Sequence, residues 1–138
     1  MGTLTKHATV RAAAAAVYNF VADLHNAPNY IVAIRQITSG PVGAPAVGQR
    51  FGAAATFLGQ PTNLTLRLAT LDPGKRVVIA LEGDPAGTMT LDLAPAHGGQ
   101  ATHVTVTLDV PAVAGLLLTA LMGGMLDESL VRLGQTVR

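Results

Sequence analysis

The chain of 138 residues contains no cysteine and no tryptophan, and only 12% of its residues are charged. Without cysteine, the protein has no disulfide bonds, thiolate nucleophiles or zinc sites built on cysteine. The formal net charge is +1 and aromatic residues make up 4%. The sequence therefore lacks both the basic field that attracts phosphates and the rings that stack on bases, and we expect no nucleic-acid partner.

Motifs of common enzyme classes are also missing. The sequence contains no G-x-S-x-G elbow, no phosphate loop of the G-x-x-x-x-G-K type and no G-x-G-x-x-G fingerprint. The four histidines, at positions 7, 25, 97 and 103, show no metal-ligand spacing. We therefore predict no metal and no cofactor, and we assign no catalytic residue. His25 lies close to Asp23 at the end of the first predicted helix, where the helix dipole favours a histidine; an acid–base role is the alternative.

The length is that of one domain, because a chain of this size buries about two thirds of its unfolded surface around a single core. The first ten residues, MGTLTKHATV, alternate between polar and apolar types. They lack the apolar core of about 7 to 15 residues that a secretion signal requires. We therefore expect a cytoplasmic protein.

The longest uncharged run is VPAVAGLLLTALMGGML, residues 110–126. Its seventeen residues lie at the lower limit for a bilayer span, which needs about 20. Beyond it, an apolar stripe continues at helical spacing through Leu126, Leu130, Leu133 and Val137, with polar residues on the other face. The run has no basic flank, so we predict one long helix that closes a protein core and does not span a membrane. Gly123 and Gly124 indicate a kink or close packing, either against the sheet or against a second copy in a homodimer.

In the rest of the chain, polar and apolar residues mostly alternate, as in strands. A helical pattern interrupts this alternation near the N-terminus. Residues 12–24 place apolar side chains at helical spacing after a run of alanines, and a short second helix is expected at 28–32. Short turns between the later strands predict antiparallel hairpins. The predicted strands are 4–10, 34–39, 49–58, 64–71, 76–82, 88–94 and 102–110.

Alternate residues of these strands predict a sheet with two different faces. Polar and charged residues form the outer face: Arg50, Thr65, Arg67, Glu82, Thr88, Thr90, Asp92, His103, Thr105, Thr107 and Asp109. The inner face is apolar: Phe51, Phe57, Leu64, Leu66, Leu68, Val77, Ile79, Leu81, Met89, Leu91, Leu93, Val104, Val106 and Leu108. An apolar sheet face needs a cover, and the elements long enough are the C-terminal helix and the N-terminal helical pair.

This element order, together with several local strings, resembles the polyketide cyclase/dehydrase and lipid-transport proteins of the START-like, Bet v 1-like (SRPBCC) superfamily. The strings are VYNFVADLHNAPNY, VGQRF, LDPGKRVVIAL, GTMTLDLAP and THVTVTLDVPAVAGLLL. The resemblance covers residues 1–138 and implies a single domain of α+β class. The implied architecture is a helix-grip fold, in which a curved antiparallel sheet of about seven strands, in the order β-α-α-β6-α, wraps around a long C-terminal helix.

The resemblance also implies an internal cavity between the sheet and the last helix. Similar proteins commonly carry tryptophan at the position of Tyr30, and this chain has none, which implies an altered cavity mouth. Members of the superfamily include binders, transporters, cyclases and co-chaperone-like proteins, so fold alone does not name a reaction.

Candidate ligand contacts follow from the inner face and from polar residues near the expected mouth. The apolar wall is predicted to contain Phe51, Phe57, Leu66, Ile79, Met89, Leu117 and Leu121. Tyr30 could donate its hydroxyl to a ligand or bond to backbone as a core residue. Arg35 could turn inward to pair with an acidic ligand head or lie in water, which the cost of unpaired burial favours. Lys6 interrupts the apolar face of the first strand and is expected to extend its amine to water.

Three functions are compatible with these features. The first is binding or transport of a hydrophobic small molecule, such as a lipid, isoprenoid or polyketide-like compound. The second is a cyclase or dehydratase-like enzyme, although the predicted inner face supplies no carboxylate or histidine. The third is a protein-interaction module whose cavity is filled by its own side chains.

Overall fold

Seven strands form one antiparallel sheet, and a short helical segment lies between the first strand and the second. A computed structural model describes residues 2–31, 34–57, 60–82 and 87–110. The helices are α1 (Ala14–Ala22), a 3-10 turn (Leu24–Asn26) and α2 (Ala27–Tyr30), and a second 3-10 turn covers His97–Gly99. The strands are β1 (Gly2–Val10), β2 (Ile34–Ser39), β3 (Arg50–Phe57), β4 (Gln60–Asp72), β5 (Arg76–Glu82), β6 (Gly87–Ala96) and β7 (Ala101–Val110).

The strand order β1-β7-β6-β5-β4-β3-β2 confirms the predicted antiparallel hairpins. Each strand from β2 to β6 pairs with the strand that follows it, and from β3 onward the connecting turns are short. The turn after β4 shows the expected chemistry: the Lys75 amide donates to the Asp72 carbonyl over 2.9 Å, and Gly74 has φ 73°. β1 pairs with β7, so β1 and β2 are the two edges.

Most element bounds differ from the predicted ones by one to four residues, and two of these differences have a local cause. The first helix is shorter than 12–24, because Asp23 leaves the helix and its carboxylate accepts the His25 amide over 3.1 Å. Aspartate competes with the helical backbone in this way and favours caps. β4 begins at Gln60 and not at residue 64, so part of the predicted GQPTN turn is strand. Pro61 lies opposite Thr56, near the start of the strand, where proline is tolerated.

Register shifts in β2 and β4 interrupt the strict alternation of the strands. In β4 the shift lies between Leu68 and Thr70, and it brings Leu71 opposite the buried Val77. Without the extra residue, Leu71 would point away from the core. Bulges of this kind bend a strand and increase its twist. They therefore contribute to the curvature of the sheet.

The two faces of the sheet are as predicted. The inner-face residues from β3 to β7 whose side chains are described are buried, and they belong to one hydrophobic cluster. On the outer face, exposed ion pairs join strands: Arg76 on β5 pairs with Asp92 on the neighbouring β6, and Arg50 on β3 reaches across β4 to Glu82 on β5 at 3.1 Å. Exposed pairs contribute about 0 to 1 kcal/mol each. The stability of the sheet therefore rests mainly on its inner face.

Helix α1 covers part of the inner face, over β5, β6 and β7. Val17 and Val21 are fully buried in the cluster. The hydroxyl of buried Thr102 on β7 donates to the Ala12 carbonyl over 2.7 Å, which fixes the chain just before α1. The predicted C-terminal helix lies outside the described residues. Within the described part, no helix is long and apolar enough to cross a membrane.

Gly40 joins β2 to the loop of residues 41–49 in close contact with Phe51. It has φ 146°, and a Cβ atom at this position would overlap the Phe51 ring. Gly43, in the same loop, has φ 114° but no atom within 4 Å of the position that a Cβ would occupy. The two glycines therefore share an unusual backbone conformation, and only Gly40 is also required by packing.

Gly40→Ala should lower the free energy of unfolding by about 2 kcal/mol or more, because backbone strain is added to displacement of Phe51. Gly43→Ala is the matched control and should cost about 1 kcal/mol from strain alone. Urea denaturation followed by circular dichroism measures both. Equal losses in the two variants would contradict the packing role of Gly40.

Candidate functional site

Four of the predicted ligand contacts form one continuous patch on the inner face, which we call the inner-face patch: Phe51, Leu66, Ile79 and Met89. Phe51 lies directly opposite Leu66 across β3 and β4, and Ile79 lies opposite Met89 across β5 and β6. Leu66 pairs with Leu81, two residues from Ile79 on the same face, so the two pairs adjoin diagonally. Leu66 and Ile79 are fully buried.

The side of the patch toward β2 carries two small side chains, both alanines of β3. Ala53 lies opposite Leu64 and Ile37, and Ala55 lies opposite Ile34. Both alanines are at most 2% exposed. Methionine at position 89 supplies an adaptable side chain at the centre of the sheet. Beside Phe51, β3 therefore contributes little side-chain volume to the inner face.

Lys6 is the one charged residue on the inner face of the described strands. It lies opposite Val106 on the edge strand β1 and is half-buried. Lys6 therefore interrupts the apolar pattern only at the edge of the inner face, two strands away from Met89.

Tyr30 lies at the end of α2 and contacts α1. Its hydroxyl donates to the Val21 carbonyl over 2.7 Å, and its ring lies 5.9 Å from that of Phe20. The residue is 2% exposed. Burial raises the pKa of its hydroxyl well above the ordinary value, and the charge of Asp23 adds to the shift. Of the two roles considered for Tyr30, the backbone bond is the one present here.

The same helix end is capped a second time, because the Asn26 side-chain amide donates to the Phe20 carbonyl over 3.1 Å. The last carbonyls of a helix have no hydrogen-bond donor within the helix. The side chains of Tyr30 and Asn26 supply donors to two of these carbonyls. The tripeptide LHN and the short α2 are thereby held against α1.

Arg35 is exposed, at the first register shift of β2 between buried Ile34 and Gln36. It occupies the inserted position of the bulge, which explains why strand alternation left its direction undecided. The remaining predicted contacts, Leu117, Leu121 and the Phe57 side chain, lie outside the described residues.

His25 makes contacts that the sequence did not indicate. Its ring stands edge-on to Phe51, with centroids 5.4 Å apart, and its Nε2 lies 2.8 Å from the Pro41 carbonyl. Since a carbonyl oxygen only accepts, Nε2 carries the proton and donates. His25 therefore links the loop after β2 to one end of the inner-face patch while remaining exposed. Sequence spacing gives no signal for this contact, because the three residues belong to separate segments.

Among the described residues, the site contains few groups that could act as acids, bases or metal ligands. Within the described strands, the inner face carries no aspartate, glutamate or histidine. Across residues 2–31, 34–57, 60–82 and 87–110, no three histidine, aspartate or glutamate side chains are grouped so as to hold a metal ion. The described geometry provides apolar contact surface, with a single imidazole at its margin.

Tyr30→Phe removes only the hydroxyl and leaves the Val21 carbonyl without its partner. We expect the free energy of unfolding to fall by about 1 to 3 kcal/mol at neutral pH, as measured by urea denaturation. Tyr18→Phe, at a half-buried position, is the control and should change it by less than about 0.5 kcal/mol. Equal values for Tyr30→Phe and the parent chain would contradict the structural role of this bond.

The raised pKa of Tyr30 also predicts a dependence of stability on pH. The ordinary tyrosine pKa is about 10, so the folded chain retains the Tyr30 proton after the unfolded chain has lost it. The resulting stabilisation is complete below about pH 10 and is lost as the pH rises above it. In denaturation series above about pH 10, Tyr30→Phe should lose stability less steeply than the parent chain. Parallel curves would refute this assignment.

Comparison with solved structures supports the architecture. A START superfamily protein from Mycobacterium smegmatis aligns with a TM-score of 0.81 at 17% identity, covering 99% of this chain and 97% of that chain. The Zhui aromatase/cyclase from Streptomyces sp. R1128 aligns with a TM-score of 0.78 at 15% identity, covering 98% and 92%. The di-domain ARO/CYC BexL from the BE-7585A biosynthetic pathway gives 0.77 at 22%, covering 99% of this chain and 46% of that chain. These similarities concern the fold.

No functionally curated protein matches the sequence. The family model for polyketide cyclase / dehydrase and lipid transport, in contrast, matches residues 1–138. This match spans the full sequence, and the seven-stranded antiparallel sheet agrees with it. The chain belongs to the polyketide cyclase/dehydrase and lipid-transport family.

Proposed function

We propose that the protein binds or transports a hydrophobic small molecule, such as a lipid, isoprenoid or polyketide-like compound, in a cavity over the inner-face patch. The observation that carries this proposal is the patch itself: buried, continuous and apolar across β3 to β6. Ligand sites of this kind are lined mainly by apolar side chains with few polar groups. The family to which the chain belongs is consistent with such a ligand.

Binding would draw its free energy mainly from apolar area removed from water. At about 25 cal/mol per Å², burial of about 200 Å² of ligand surface contributes roughly 5 kcal/mol before the costs of association. Ala53 and Ala55 leave the most room along β3, so the ligand would lie over this strand and contact Phe51 and Leu66. Phe57, Leu117 and Leu121 are proposed to complete the wall.

The polar end of the ligand would lie at the β2 end of the sheet. Arg35 is exposed and adjoins buried Ile34, so its guanidinium can meet a carboxylate at the rim without being buried itself. Tyr30 already donates its hydroxyl to Val21, so any contact with ligand would use the oxygen as an acceptor.

The second candidate is an enzyme that cyclises or dehydrates a polyketide-like chain held in the same cavity. Two observations favour it: the contact of His25 with Phe51, and the fold shared with Zhui, which is named as an aromatase/cyclase. Its test is turnover of a polyketide-like substrate by the parent chain and by His25→Ala, Tyr30→Phe and Arg35→Met. Undiminished turnover in all three variants would contradict these roles.

The third candidate is an interaction module with a cavity filled by its own side chains. It predicts a stable complex, with itself or another protein, and no extractable ligand. Light scattering together with native mass spectrometry separates it from the first two candidates. Cytoplasmic location and a homodimer remain predictions.

Filling the space over β3 should weaken ligand binding. Ala53→Leu adds a larger side chain on the inner face, and Ala54→Leu adds the same group on the outer face, opposite Gln36 and Asn63. With a fluorescent fatty acid as probe, we expect Ala53→Leu to raise the Kd about tenfold or more, because the added group competes with the ligand for volume. Ala54→Leu should change the Kd by less than about twofold relative to the parent chain.

Circular dichroism confirms that both variants fold before the probe is added. Native mass spectrometry of the parent chain provides the independent measurement and should detect a bound apolar molecule or added fatty acid. Failure of the parent chain to bind in both assays would overturn the proposal. An equal loss of probe affinity in the two variants would show that the site does not lie over β3.

A further inference from the structure

Two histidines distant in the sequence meet on the outer face of the sheet, across the pairing of β1 with β7. His7 lies opposite Thr105 and His103 lies opposite Thr9, which makes the two histidines diagonal neighbours. Their ring centroids are 5.6 Å apart, with 33° between the ring planes. Both side chains are exposed, so an ion in solution can reach them.

The separation of the rings is close to that of two imidazoles bound to one metal ion. With metal–nitrogen bonds of about 2.0 to 2.1 Å and a near-tetrahedral angle, the ring centroids of such a pair lie about 5 Å apart. Small changes of the exposed side-chain torsions would bring the centroids from 5.6 Å to this distance. The strands that carry both residues are held by the β1–β7 ladder, so the backbone need not move.

Thr9 orients one of the two ligands. Its hydroxyl oxygen lies 3.4 Å from Nδ1 of His103. When Nδ1 carries the proton and donates to Thr9, the lone pair of Nε2 is available to a metal. Metal-ligating histidines commonly bond through their second nitrogen in this way, which fixes the tautomer and the ring orientation.

We propose that His7 and His103 form a binding site for a divalent transition metal ion of the class that prefers imidazole, namely Zn²⁺, Ni²⁺ or Cu²⁺. No third histidine, aspartate or glutamate joins them within the described ranges. Water, or the same two histidines of a second copy, would complete the coordination. The site lies on the face of the sheet opposite the inner-face patch, and it is independent of the proposed ligand function.

Isothermal titration of the untagged full chain with Zn²⁺ and with Ni²⁺, in a buffer that does not chelate metals, tests the proposal. The parent chain should show saturable binding at one ion per chain or one ion per two chains. His7→Ala and His103→Ala should each weaken it about tenfold or more, since removal of a ligand exceeds the loss of a supporting residue. Thr9→Val should weaken it less than either.

His97→Asn is the matched control, because His97 is exposed in the β6–β7 turn with φ 51°, a conformation that asparagine also adopts. Its affinity should equal that of the parent chain. In proton NMR, substoichiometric Cu²⁺ should broaden the imidazole signals of His7 and His103 before those of His25 and His97. Parent-like affinity in both alanine variants, or equal broadening of all four histidines, would overturn the proposal.

Discussion

The structure depends on one constraint, which is that apolar side chains keep to a single face through six consecutive strand pairings. Each pairing must hold its register, since a slip of one residue would move every apolar side chain of a strand into water. The pairs of Phe51 with Leu66 and of Ile79 with Met89 show the result: large apolar groups meet across neighbouring strands and are buried. The cover of helix α1, the core cluster and the candidate ligand wall all follow from this face.

The bulges show how this constraint coexists with a curved sheet. A flat and regular sheet would keep its alternation without interruption, but it would not bend around a cover. The register shift between Leu68 and Thr70 bends β4 and still returns Leu71 to the inner face. The shift after Ile34 instead leaves Arg35 outside. Curvature and the distribution of polar groups at the β2 end are therefore set by the same local irregularities.

The sequence was sufficient to predict the strands, their antiparallel order and both faces, because a period of two residues and short turns are local signals. It placed Phe51, Leu66, Ile79 and Met89 on one wall for the same reason. It did not predict the early end of α1 at Asp23 or the early start of β4, since capping and strand pairing decide such boundaries. The direction of Arg35 depended on a bulge, which alternation cannot anticipate.

Two side-chain contacts between distant segments give no signal in the sequence. His25 meets Phe51 and Pro41 only because the 3-10 turn and the loop after β2 converge in space. His7 and His103 are 96 positions apart, and only the register of β1 against β7 brings their rings together. Spacing rules detect ligand sets within one helix or hairpin, and neither of these contacts is of that kind.

The pairing of β1 with β7 has a further consequence for how the protein folds. The first strand finds its only neighbour in the described sheet across residues 11–100, a stretch of 90 residues. Contacts of such long sequence separation carry a large loop-closure cost and slow folding. During synthesis β1 leaves the ribosome early and must wait, with its edge unpaired, until the last strand emerges. Pairing of β1 with β7 therefore completes the described sheet late, and until then the nascent chain exposes an unpaired strand of the kind that favours aggregation.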